Sequence, residues 1–157
     1  MKVERKIDVA ATPMEAFAKI SDTRLIASLL SGLMDWYPTK VPNRFRTVFR
    51  AGPAPLGGEV EVEFWPESGT VVWQSVRGVY TRGRFLVRKK EIGSEIYLRI
   101  FYHLDGGLFS RVSEWLFALT VDRYMREALD RLRRSIEAQP PRLRRHKAEP
   151  AETAARA

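Results

Sequence analysis

Apolar and polar positions follow two rhythms along this chain, and the changes between them mark its elements. In VERKIDV (3–9), Val3, Ile7 and Val9 share one parity and Glu4, Lys6 and Asp8 the other, the pattern of a half-buried strand whose apolar side is interrupted by Arg5. Thr12-Pro13-Met14-Glu15 then reads as a helix start. Thr12 can cap, Pro13 suits the first helical position, and Glu15 complements the helix dipole. This short helix should end near Ser21-Asp22. A second, from about Thr23 to Leu33, carries Leu25, Ile26, Leu29, Leu30 and Leu33, with Gly32 close to its end.

Beyond WYPTKVPN (36–43) the period becomes two. Phe45, Thr47 and Phe49 alternate with Arg44, Arg46, Val48 and Arg50, and Val60, Val62 and Phe64 alternate with Glu59, Glu61, Glu63 and Trp65. The Pro- and Gly-rich stretch AGPAPLGG (51–58) between them is expected to be a loop. PESG (66–69) turns the chain into TVVWQSV, Gly78 marks a break, and the next strand places Val79, Thr81, Gly83, Phe85 and Val87 on one side. After Gly93-Ser94, Ile96, Leu98, Ile100 and Tyr102 share a face opposite Tyr97, Arg99, Phe101 and His103.

From Leu108 to Ala138 no proline interrupts. Val112, Trp115, Leu116, Leu119, Met125, Leu129, Leu132 and Ile136 recur at helical spacing, which predicts one helix roughly 46 Å long. Gln139-Pro140-Pro141 should end it. A run of antiparallel strands with one apolar face needs a cover, and this helix is the element able to supply it. The expected class is α+β: an antiparallel sheet of six or seven strands, two short helices after the first strand, and a long C-terminal helix. Residues 1–138 form the domain, and 139–157 a basic tail expected to be disordered.

Composition narrows the chemistry. The chain has 157 residues, 45% of them hydrophobic, which suits one domain with one core. It has no cysteine, so disulfides and thiolate metal sites are excluded. With two histidines, His103 and His146, the second in the tail, a multi-histidine metal centre is excluded as well. MKVERKIDVA lacks the apolar run of a signal peptide, and no stretch approaches the roughly 18 apolar residues of a membrane span, so a soluble cytoplasmic protein is expected. The formal charge is +8. Arg44, Arg46, Arg50, Arg82, Arg84 and Arg88 fall on alternate strand positions, the signature of a solvated sheet face. A weak contact with an anionic surface is compatible with that, whereas no motif for specific nucleic-acid recognition accompanies it.

The segment KIDVAATPMEAFAKISD (6–22), the hairpin series and YHLDGGLFSRVSEWLF (102–117) resemble the START-like, or SRPBCC, superfamily, within its polyketide cyclase/dehydrase and lipid-transport group. The resemblance covers residues 2 to about 138. It implies a helix-grip fold, in which the sheet curls around the C-terminal helix and leaves a hydrophobic cavity, and it implies lipids, polyketides or sterol-like molecules as ligands. Some members cyclise or aromatise what they bind, but the superfamily has no universal catalytic motif. AGPAPLGG departs from the more glycine-rich loop of the plant members.

Strand and helix parity nominate Phe45, Phe49, Phe64, Trp73, Phe85, Ile100, Tyr102, Val112, Trp115 and Leu119 as the cavity lining. Tyr102 and Trp115 each bring a polar handle as well as apolar surface. For a cyclase, Tyr102, Glu114, Arg111 and Arg5 are the nearest acids and bases. A triad of His103, Asp105 and Ser110 is not expected, because His103 has the outer parity. Gly106-Gly107 reads as a hinge rather than a phosphate cradle, since Asp105 would repel an anion and no base lies within two residues of the pair. The expected function is binding of a hydrophobic small molecule such as a lipid, polyketide or isoprenoid-like ligand. The alternatives are a polyketide cyclase or aromatase in the same cavity, and an interaction module using the basic surface. No cofactor or metal is expected, and the oligomeric state is left open.

Overall fold

In the computed structural model, residues 2–50, 55–103 and 111–138 are described, residues 111–114 as backbone only. The first strand, β1 (Lys2–Val9), runs into α1 (Pro13–Ile20) through a reciprocal cap. The Thr12 hydroxyl accepts from the Glu15 N–H at 3.3 Å, and the Glu15 carboxylate accepts from the Thr12 N–H at 2.9 Å. Asp22 caps α2 (Thr23–Leu30) by accepting from the N–H groups of Arg24 and Leu25 at 3.0 and 3.2 Å.

Six strands follow: β2 (Met34–Pro38), β3 (Arg44–Phe49), β4 (Leu56–Trp65), β5 (Thr70–Gly78), β6 (Tyr80–Lys89) and β7 (Ser94–His103). Each pairs antiparallel with the next, and β1 returns to pair with β7, giving a seven-stranded sheet in the order β1-β7-β6-β5-β4-β3-β2. The last helix, α3 (Arg111–Glu137), packs along β1 and against α2. The sheet curls into a half-barrel with α3 on its concave side. This is the α+β helix-grip arrangement.

Two expectations are corrected. Met34–Pro38 is a strand, although its five residues include an aspartate and a proline. It is an edge strand, where a proline costs no internal ladder bond, and its Met34 and Trp36 are buried on the concave face. AGPAPLGG is not loop throughout, because Leu56, Gly57 and Gly58 already belong to β4. There β4 and β5 approach closely beside a bulge at Glu59/Val60. A Cβ on Gly78 would lie 2.4 Å from the Gly57 carbonyl oxygen. Finally, α3 is described from Arg111, so Leu108 to Ser110, the Gly106-Gly107 hinge and Asp105 lie outside the described residues.

The core lies between the concave face and the helices. From α3, Phe117, Val121, Met125, Ala128, Leu129, Leu132 and Ile136 are buried, at the spacing of one helical stripe. Polar ties also hold the helix. Arg131 donates to the Leu29 carbonyl at 3.1 Å, and Asp122 meets the Arg5 guanidinium on β1 at 2.6 Å and Arg126 at 3.1 Å.

A candidate ligand cleft on the concave face

The concave face is aromatic, and the curl of the sheet brings distant strands together there. Trp36 of β2 and Trp73 of β5 meet edge to face with ring centroids 5.7 Å apart, across the intervening β3 and β4. Phe45 lies 5.3 Å from Trp36, and Phe85 lies 5.7 Å from Trp73. The Trp73 indole rests on Gly83, its cross-strand partner, where a Cβ would come within 1.8 Å of the ring. Glycine is required at this position by contact, since only a missing side chain leaves room for the indole. A second cluster sits nearer the start of α3. Tyr102 lies 4.8 Å from Phe117 and 6.3 Å from Phe49, and Phe49 lies 5.5 Å from Phe117.

Seven of the ten nominated residues lie on this face. Phe49, Trp73, Phe85, Ile100 and Tyr102 are buried, and Phe45 and Phe64 are half-buried against the core. The helix residues differ. Trp115 is 62% exposed and Leu119 47% exposed, so both point away from the sheet. The side chain of Val112 lies outside the described residues. The apolar positions of α3 make two stripes, and docking turns Phe117 and Val121 inward instead of Trp115 and Leu119. Trp36, Thr81 and Phe117 went unnominated. Phe117 precedes Val121 and Met125 by steps of four, a signal the sequence does carry.

Of the four candidate acids and bases, Tyr102 is buried on the concave face. Arg5 has the concave parity, opposite Leu98, but is engaged by Asp122. The side chains of Arg111 and Glu114 lie outside the described residues, and so do Asp105 and Ser110 of the discounted triad. His103 is exposed on the outer face. Among the described residues no group of three His, Asp or Glu side chains is placed to hold a metal ion, and no described helix is long and apolar enough to cross a membrane.

Three polar atoms stand out in this apolar setting. Trp36 Nε1, Trp73 Nε1 and Thr81 Oγ1 have no hydrogen-bond partner among the described residues, although Trp36, Trp73 and Thr81 are only 8%, 0% and 4% exposed. All three project from concave-face positions. A buried donor left unmade costs about 1–3 kcal/mol, so such groups call for an acceptor.

A curled antiparallel sheet gripping a C-terminal helix, with an aromatic concave face, defines a helix-grip protein. Residues 1–137 match the polyketide cyclase / dehydrase and lipid transport family, and the chain belongs to it. Solved structures share the fold at low sequence identity. A Thermus thermophilus protein superposes with a TM-score of 0.71 at 17% identity, covering 88% of this chain and 98% of its own. The ZhuI aromatase/cyclase from Streptomyces gives 0.67 at 12% identity, covering 87% and 93%. Norcoclaurine synthase from Thalictrum flavum, solved with dopamine and hydroxybenzaldehyde, gives 0.61 at 16% identity, covering 89% and 88%. No curated protein matches the chain.

Proposed function

We propose that the protein binds a small, largely apolar molecule carrying hydrogen-bond-accepting oxygens between the concave face of the sheet and α3. The supporting observation is the set of buried polar atoms without partners among the described residues, Trp36 Nε1, Trp73 Nε1 and Thr81 Oγ1, set among aromatic rings. An indole N–H only donates. A ligand matched to two indoles therefore needs carbonyl, ether or carboxylate oxygens, and a plain hydrocarbon would leave both donors unsatisfied. Family membership supports the apolar part of this reading, and the two donors add the polar part.

The test uses two probes of one shape, fluorenone and fluorene, titrated into 15N-labelled full-length protein. Fluorenone should shift the indole N–H signals of Trp36 and Trp73 downfield and bind at least fivefold more tightly than fluorene. Equal affinity with unmoved indole signals would remove the acceptor requirement. Failure of both probes, together with native mass spectra free of any apolar adduct, would remove the cleft.

A second reading, a cyclase or aromatase, is favoured by Tyr102, whose buried ring lies edge-on to Phe117 at 4.8 Å and 6.3 Å from Phe49 on the concave face. A positioned phenol can pass a proton to a ligand oxygen during enolisation or dehydration. Tyr102→Phe should then abolish turnover of a poly-carbonyl chain while leaving its binding within twofold. Unchanged turnover would exclude Tyr102.

A further inference from the structure

Part of the outer face of the sheet pairs its charges between neighbouring segments. Lys6 meets Glu95 at 3.0 Å, Arg44 meets Glu61 at 3.6 Å, Arg50 meets Asp35 at 2.5 Å, Lys90 meets Asp8 at 2.8 Å, and Arg99 meets Glu4. On β6 two arginines lack such a partner. Arg84 stands directly opposite Arg99, a like-charge juxtaposition that costs stability, and among the described residues no carboxylate pairs with Arg84 or Arg82. Two like charges held directly opposite each other are a local conflict, and such a conflict points to a use for the site.

Two recesses flank this arginine pair, and both are lined by it. One, of about 420 Å³, is lined further by Leu86, Tyr97, Lys6 and Arg88 and by one acid, Glu4, which pairs with Arg99. The Arg88 guanidinium lies 4.6 Å from the centre of the Tyr97 ring. The other, of about 370 Å³, is lined by Tyr80, Phe101, Lys2 and Arg82 and contains no acid. Its two rings stand edge to face at 6.0 Å and remain 46% and 41% exposed. The order across the surface is aromatic recess, arginine ridge, aromatic recess.

We infer that the outer face of β6, β7 and β1 is a site for single-stranded nucleic acid, bound without sequence preference. A phosphodiester on the Arg84–Arg99 ridge would place a planar base over each recess. Rings and guanidinium planes stack on any base, and the surrounding cations follow the backbone. This chemistry needs no sequence-reading motif, and none is present. A bilayer fits less well, because the face is the convex side of a curled sheet and its rings lie between arginines rather than forming an apolar tip. The site shares no residue with the donors of the cleft and stands or falls separately from the ligand proposal.

The experiment measures fluorescence anisotropy of a labelled oligothymidylate of about 12 nucleotides with the full-length protein across a salt series. Three or four phosphate contacts predict a log–log salt slope of about −2 to −3. R82E/R84E, with R82Q/R84Q as the milder variant, should weaken binding at least tenfold, and Phe101→Ala at least fivefold. Circular dichroism of each variant establishes that it is folded. Unchanged affinity in a folded R82Q/R84Q would place the binding elsewhere on the chain and overturn the assignment. So would binding to phosphatidylglycerol vesicles, or dimerisation, that depends on these arginines while the oligonucleotide goes unbound.

Discussion

Gly83 carries the sharpest steric prediction. An alanine methyl there would lie 1.8 Å from Cζ2 of Trp73, where two carbons pack comfortably at about 3.5–4 Å, so the indole must retreat by roughly 2 Å. Neighbouring rings restrict that retreat. Trp36 stands 5.7 Å away on one side and Phe85 5.7 Å away on another, and the ring is fully buried. Overpacking of this kind costs about 3 kcal/mol, and the lower chain entropy of alanine in a strand returns about 0.5–1 kcal/mol. Gly83→Ala should therefore destabilise by about 2 kcal/mol and lower Tm by roughly 4–8 °C. Near-UV circular dichroism should change as well, since the coupled indoles move. Gly57→Ala is the internal control, because a Cβ there meets nothing within 4 Å, and its Tm should hold or rise slightly. In a Trp73→Leu background Gly83→Ala should cost little, giving a coupling of about 1 kcal/mol or more. A Gly83→Ala protein with wild-type Tm and near-UV spectrum would refute the packing described for Trp73.

Thr12→Ala removes one half of the α1 capping box and should cost about 1 kcal/mol, read from the urea midpoint. Asp122→Ala breaks the link from α3 to Arg5 on β1 and the pair with Arg126 within α3, and should cost about 1–2 kcal/mol, more than an exposed pair because the Asp122 side chain is mostly buried. The Glu95 carboxyl is held below its usual range by the hydrogen bond from Lys6, and the Lys6 ammonium is held above its usual range by the same bond. The pair's contribution is thus complete between the ordinary carboxylate and ammonium ranges. It is lost on the acid side as pH falls through the lowered Glu95 pKa, and on the alkaline side as pH rises through the raised Lys6 pKa. An NMR titration should show the Glu95 midpoint rising toward the ordinary glutamate range in Lys6→Met, and an unmoved midpoint would contradict the assigned cause.

The elements and their order were legible because their signals are local. Alternation marks β3 to β7, Thr12-Pro13 and Glu15 mark the start of α1, and Gly69, Gly78 and Gly93 adopt the positive φ values their turns need. The strand parities likewise placed Phe49, Trp73, Phe85 and Tyr102 on one face. Met34–Pro38 was missed because a five-residue edge strand with a proline has almost no alternation to display, and its identity comes from pairing with β3.

Periodicity says that a helix has apolar stripes, but not which stripe docks. In α3 the angle at which the helix meets β1 and α2 selected Phe117 and Val121 and left Trp115 and Leu119 in solvent. The same limit applies to every feature that spans strands. Trp36 and Trp73 are 37 positions apart in the chain and meet only because the sheet curls, and Gly83 is needed only because the Trp73 indole lies across it. Arg84 and Arg99 become a like-charged pair only through the β6–β7 register. Local sequence determined most of the elements, the faces of the strands and the family. The juxtapositions that suggest chemistry were decided by curvature, register and docking angle, which arise from the packing of the whole chain and are written in no single segment of it.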